Sequence, residues 1–209
     1  MKNSSICSAA NVARLAGGLL LAAFVACASS TPASRSLGEL INPSLGPDYS
    51  DWMVGAASQL ATAAEIAQFV SLRDDAAAAK FTEDFWARRN PTPNRSGNPL
   101  RQAFEERSAE ADHLYSETEV RGRHTDRGTT LILYGPPRKI SFDVAQNPLE
   151  PPIEVWTYGR EHSAGINGQQ PPSEIRFSKR GDLTVFYTPG ANPHPHRPSL
   201  LPEPEPPQR

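Results

Sequence analysis

Leu131, Ile132, Leu133 and Tyr134 form an unbroken apolar run, closed by Gly135-Pro136-Pro137. Four such residues in a row suit a strand buried on both faces. Pro cannot donate to a sheet ladder and fixes φ, so the run must stop there. Asp126-Arg127-Gly128 precedes it and reads as a turn, with Gly128 able to take positive φ. The pattern predicts a central strand over 129–135, with polar residues at its entrance and a sharp exit.

The chain before this strand reads as helical from Asp51 to Ser116. Asp74 and Asp75 stand where an N-cap and a first turn want acids, ahead of an Ala-rich segment. Ala78, Phe81 and Phe85 recur at helical spacing, and Trp86 widens the stripe. Asn90-Pro91 ends that helix. Pro99 opens the next, with Leu100, Ala103, Phe104, Arg107, Ala111 and Leu114 on one face. Arg107 reads as an aliphatic stem reaching to solvent. After the central strand, Ile153 to Tyr158 alternates, and residues 173–190 read as a hairpin turning at Arg180-Gly181-Asp182. The predicted class is α+β: two to three N-terminal helices packed on a small three- to four-stranded antiparallel sheet.

The ends read differently. Lys2 and Arg14 flank the apolar run Leu15 to Ala26, a charged and then hydrophobic pattern expected of a signal peptide over 1–26. It is short of the ~20 residues that span a bilayer. Phe24-Val25-Ala26-Cys27 resembles a lipobox, with Phe24 where Leu is usual. Ala26-Cys27-Ala28 also fits ordinary secretory cleavage. Cys7 is the one other cysteine and falls inside the signal, so Cys27 has no disulfide partner in the mature chain and lipidation accounts for it best. Residues 27–50 then read as a lipidated Cys and flexible tether, 51–189 as the α+β domain, and 190–209 as a Pro-rich disordered tail. His194 and His196 in that tail make at most a weak metal pair.

Function classes narrow by exclusion. The formal charge is -2, and loss of 1–26 removes Lys2 and Arg14 and no acid, leaving -4. Neither value provides a basic stripe for nucleic acid. There is no Gly-rich phosphate loop, no H-E-x-x-H and no G-x-S-x-G. No cofactor and no metal are expected, and any small-molecule ligand stays open. His124 near Asp126 is the one pair that suggests a general base. Asp126 reads more simply as a brace for its turn.

The motifs together resemble the GWxTD-domain proteins, bacterial envelope proteins of unknown function. Phe85-Trp86 opens FWARRNPTP, similar to that family's FW-x-R-R-D-P-T-P. Gly122, Thr125, Asp126, Arg127 and Gly128 match its G-W-x-T-D-R-G, with Arg123 in the place of Trp. Gly135, Pro136 and Pro137 match its strand-and-stop, and Glu154, Trp156 and Tyr158 its E-x-W-x-Y. The resemblance implies a secreted or lipid-anchored protein without an assigned activity. Cys27 is the expected anchor, and Ala28 after it lacks the Asp that retains some lipoproteins in the inner membrane, which favours the periplasmic face of the outer one. The expected function is a non-catalytic interaction or structural module whose partners are envelope proteins and the membrane. The alternatives are a secreted hydrolase-like enzyme using His124 and Asp126, and a soluble periplasmic binding protein.

Overall fold

The structure is a computed structural model that describes residues 37–145 and 150–188. The expected signal peptide, Cys27 and the tail with His194 and His196 lie outside those residues. Six helices are described: α1 (Leu37–Leu40), α2 (Ala56–Leu60), α3 (Ala63–Val70), α4 (Asp75–Arg88), α5 (Pro99–Tyr115) and α6 (Asp126–Tyr134). A 3-10 turn, Gly122–His124, leads into α6. Four strands follow, β1 (Lys139–Asp143), β2 (Ile153–Thr157), β3 (Glu174–Arg180) and β4 (Leu183–Phe186). They form one antiparallel sheet in the order β1-β2-β3-β4. The α+β class is as the sequence predicts, with more helices.

The predicted central strand is a helix. Thr125 takes the N-cap position in extended conformation, and its hydroxyl accepts from the Gly128 N–H. Asp126 then occupies the first turn, where the helix dipole favours an acid. Gly135 ends the helix at φ 80 and returns its N–H to Leu131 O, 2.7 Å away. The four apolar residues suited a buried strand because α6 is enclosed: Leu131, Ile132 and Leu133 are all buried. Full burial erases the periodicity that separates helix from strand. The first strand is instead β1, where Lys139, Ser141 and Asp143 alternate with Ile140 and Phe142.

Residues 37–50, expected in the tether, belong to the folded body. Leu40 and Leu45 are buried in the helical core. Asn42 is 1% exposed, and its amide donates to the carbonyls of Phe69 and Leu72, at 2.9 and 3.0 Å, at the end of α3. Phe69 lies in the last turn of α3, whose carbonyls lack the i+4 donor of a continuing helix, and Leu72 lies just past it, so Asn42 acts as a cap supplied from far along the chain.

Two cores result. The first lies among α1 to α4, where Trp52, Phe69, Phe81 and Phe85 pack with ring centroids 5.1 to 6.2 Å apart. It continues through Trp86 to Phe104 of α5. Phe85 and Trp86 are therefore core residues. The second lies between α5, α6 and the sheet, around Trp156, which is fully buried against Tyr115 and Phe177. A polar clasp binds the helices of the first core. Thr62 and Glu65 form a reciprocal capping box on α3, and Arg88 and Arg89 at the end of α4 donate to the same Glu65 carboxylate.

The Arg89 guanidinium beside Glu65 holds its pKa down at about 2. Glu65 thus ionises more readily in the folded chain than in the unfolded one. Its contribution to stability is present above the ordinary value of 4.5 and is lost as pH falls toward 2. Chemical denaturation between pH 5 and 2 will show that loss in the wild type, and Glu65→Gln will flatten it.

Candidate functional site

The polar motif residues of the sequence converge on the start of α6, where helices meet sheet. Close backbone approach comes first. The Gly122 Cα lies so near α5 that an added Cβ would fall 1.8 Å from Ala111 O. A Cβ on Gly128 would fall 1.8 Å from Gly122 O and 3.2 Å from the Ala111 Cβ. Both glycines are therefore required by packing: α5, the 3-10 turn and α6 stack with no room for side chains. Thr125, 6% exposed, stitches the stack by donating its hydroxyl to Gly122 O at 2.8 Å while it caps α6.

Asp126 and Arg127 carry the joint to the sheet. The Asp126 carboxylate accepts from the Phe186 N–H of β4 at 2.6 Å. Burial raises its pKa, against the lowering effect of that bond. The Arg127 guanidinium donates to two carboxylates, Glu117 in the turn after α5 and Glu154 on β2. Each carboxylate is itself held. Glu117 accepts from the Thr184 N–H at 2.7 Å and the Thr184 hydroxyl at 2.6 Å. Glu154 accepts from the Trp156 indole N–H at 2.6 Å. The turn that presents Glu117 is tight: Glu117 and Val120 exchange main-chain bonds, and Thr118 sits at φ 50, unfavourable for a β-branched residue. Tyr115 lies under the Arg127 guanidinium, 5.0 Å from its ring centroid.

The exit of α6 is tied in the same manner. Tyr158 donates its hydroxyl to Gly135 O at 3.1 Å, and burial pushes its pKa up. Arg107 does not reach to solvent as the sequence suggested. It is half-buried and donates to Ile132 O at 3.0 Å, serving the free carbonyls of the last turn of α6. Pro136, which follows Gly135, borders a shallow cleft with Arg138, Glu161 and His162. Pro137 marks the passage into β1 without another visible role.

His124 and Asp126 do not work as a pair: the Asp126 carboxylate is directed to Phe186, and the carboxylate near the His124 ring is Asp51, whose Oδ2 is 3.7 Å from Nδ1. Burial depresses the His124 pKa, so the ring is neutral at pH 7. It lines a cavity of about 310 Å³ that sequence reasoning missed. Trp52, Trp86 and Phe104 line it together with Asp51, Arg121 and Arg123. Ser108 also faces it, with a buried hydroxyl that has no hydrogen-bond partner. The cavity draws on five separate segments, which no local spacing could reveal. Among the described residues no cluster of His, Cys, Asp or Glu could hold a metal, and no helix is long and apolar enough to cross a membrane.

Residues 38–176 match the GWxTD domain. The chain belongs to the GWxTD domain family. No curated protein and no solved structure matches it. The letters of the family name now have positions: Gly122 at the contact with Ala111, Thr125 at the helix cap, Asp126 on the β4 edge. Arg123 stands where the name has Trp, and it too has work. Its main-chain N–H and its Nε donate to Asp112 at 2.8 and 2.7 Å, clamping the 3-10 turn to α5.

Arg127 is the centre of this joint, so its loss leaves Glu117 and Glu154 buried without their counter-charge. Arg127→Met is expected to cost about 3–5 kcal/mol in urea denaturation. Asp126→Asn keeps an acceptor for Phe186, removes a desolvated charge, and is expected to change stability by less than about 1 kcal/mol. Gly128→Ala forces α6 off Gly122 and is expected to cost about 3 kcal/mol.

Proposed function

We propose that this GWxTD protein is a non-catalytic module of the bacterial cell envelope, held at a membrane by a lipid on Cys27, that binds other envelope proteins. The observation that carries the reading is the employment of the signature. Thr125, Asp126 and Arg127 each direct polar groups to internal bonds, at the cap of α6, on the β4 backbone and, through both Arg127 Nη atoms, on two carboxylates, while the buried Arg127 Nε has no partner among the described residues. A catalytic triplet needs groups aimed at a substrate; these are aimed at the protein's own frame. The fold also leaves apolar side chains open on β1, where Phe142 is 67% exposed and Ile140 45%. An exposed sheet edge with apolar side chains suits recognition of another chain.

The anchor follows from sequence. Cys27 ends the apolar run Leu15 to Ala26, and a multiply acylated Cys holds firmly where one chain would not. The outer membrane is the favoured location, since Ala28 lacks the acid that retains some lipoproteins in the inner one. A second reading rests on the cavity: a neutral His124 beside Asp51, with the Ser108 hydroxyl unpartnered, would suit a small polar ligand or a hydrolytic centre.

Membrane fractionation of wild type beside Cys27→Ser tests the anchor. The wild type is expected in the membrane pellet and the variant in the soluble fraction. Equal solubility of both would overturn the anchoring and favour a soluble periplasmic protein.

A further inference from the structure

The two edges of the sheet are treated in opposite ways. On β4 the N–H groups of Thr184 and Phe186 point away from β3, and both are taken, by Glu117 and Asp126. That edge is closed to another strand by carboxylates. On β1 the edge is open. Tyr158 N–H donates to Ser173 O in the β2–β3 register, so alternate residues Glu154 and Trp156 turn their main-chain groups to β3. Ile153, Val155 and Thr157 therefore bond Asp143, Ser141 and Lys139. Ile140 and Phe142 are left with their N–H and C=O groups directed outward, and no described residue bonds them. Their side chains lie on the same sheet face as Trp156, beyond the cover of the helices, and Val144 next to them is 91% exposed.

We propose that β1 pairs antiparallel with β1 of a second copy of this chain, about a two-fold axis at Ser141. The inference rests on the reading of this edge as an interaction surface and names its partner. The strand is self-complementary in that register. Ile140 faces the second copy's Phe142, and each such pair exchanges two main-chain hydrogen bonds. Lys139 faces the second copy's Asp143, whose carboxylate also holds Arg176 of its own chain at 2.9 Å, so opposite charges meet at both ends of the ladder on the other face. The contact is isologous, and a two-fold closes it without propagating a fibre. The chain's own tail is a poor occupant: between Pro189 and Pro207 no Pro-free stretch exceeds three residues, and Pro breaks a ladder.

Ser141 would sit in a non-hydrogen-bonded pair on the axis, where opposed Cα atoms approach to about 4.5 Å, within the span that a disulfide bridges. The test is oxidative crosslinking of full-length Ser141→Cys in its native membrane, with wild type as control for Cys7 and Cys27. A covalent dimer specific to the variant is expected. In the Ser141→Cys background, Lys139→Asp is expected to lower its yield about tenfold by placing like charges opposite each other, and Lys139→Asp with Asp143→Lys to restore it. A photo-crosslinker at Phe142 separates the remaining outcomes. Capture of a different protein, or of this chain's own 28–36 or 189–209, with no covalent dimer of Ser141→Cys, overturns self-pairing; capture of a different protein leaves the edge a binding surface. Crosslinking to nothing overturns both.

Discussion

The buried guanidinium of Arg127 is the interaction on which the rest of the structure turns. It draws together a turn after α5, the start of α6 and the inner face of β2, through Glu117 and Glu154. Neither carboxylate would be tolerated there alone, because desolvating an unpaired charge costs several kcal/mol. Each is further satisfied by a sheet residue, Thr184 or Trp156. Removing Arg127 leaves both carboxylates part-buried without their counter-charge. The network is thus a device of register as well as attachment. It forces α6 to meet the sheet at one height, with Trp156 under Tyr115 and Phe177.

Steric closeness makes this electrostatic joint possible. The charges can reach only because Gly122 and Gly128 let α5, the 3-10 turn and α6 touch backbone to backbone. Thr125 then serves both sides, accepting from α6 and donating to the turn. Signature residues that look like chemistry in a list are, in space, a helix cap, two contact glycines and two anchors to the sheet. Arg123 belongs with them: its main-chain N–H and Nε both donate to Asp112 and hold the 3-10 turn against α5.

The same residues govern what the sheet exposes. Asp126 and Glu117 reach across to β4 and consume the outward N–H groups of that edge. The joint that builds the core therefore also decides which edge stays available. β1, on the far side of the sheet from this clamp, leaves its edge unbonded among the described residues, with Ile140 and Phe142 exposed. One short motif thus serves both stability and the closure of one sheet edge.

Local signals in the sequence determined much of this by themselves. Asp74 before α4, Asn98 and Pro99 at α5, and Gly181 at the last hairpin all act at short range, and they mark the elements where they occur. The alternation in β2 did the same, because one face of that strand is defined by Glu154, Trp156 and Tyr158. Thr125-Asp126 and Gly135-Pro136 also carried the ends of α6, as an N-cap and a C-terminal Gly before Pro. They were outweighed by four apolar residues in a row, which look alike in a buried helix and a buried strand. Only tertiary structure decided that case, since enclosure on every side removes the periodicity. Only tertiary structure, too, gave Asp126 the β4 backbone as partner and His124 the carboxylate of Asp51. Those partners lie 60 and 73 residues away along the chain, and no spacing rule reaches so far.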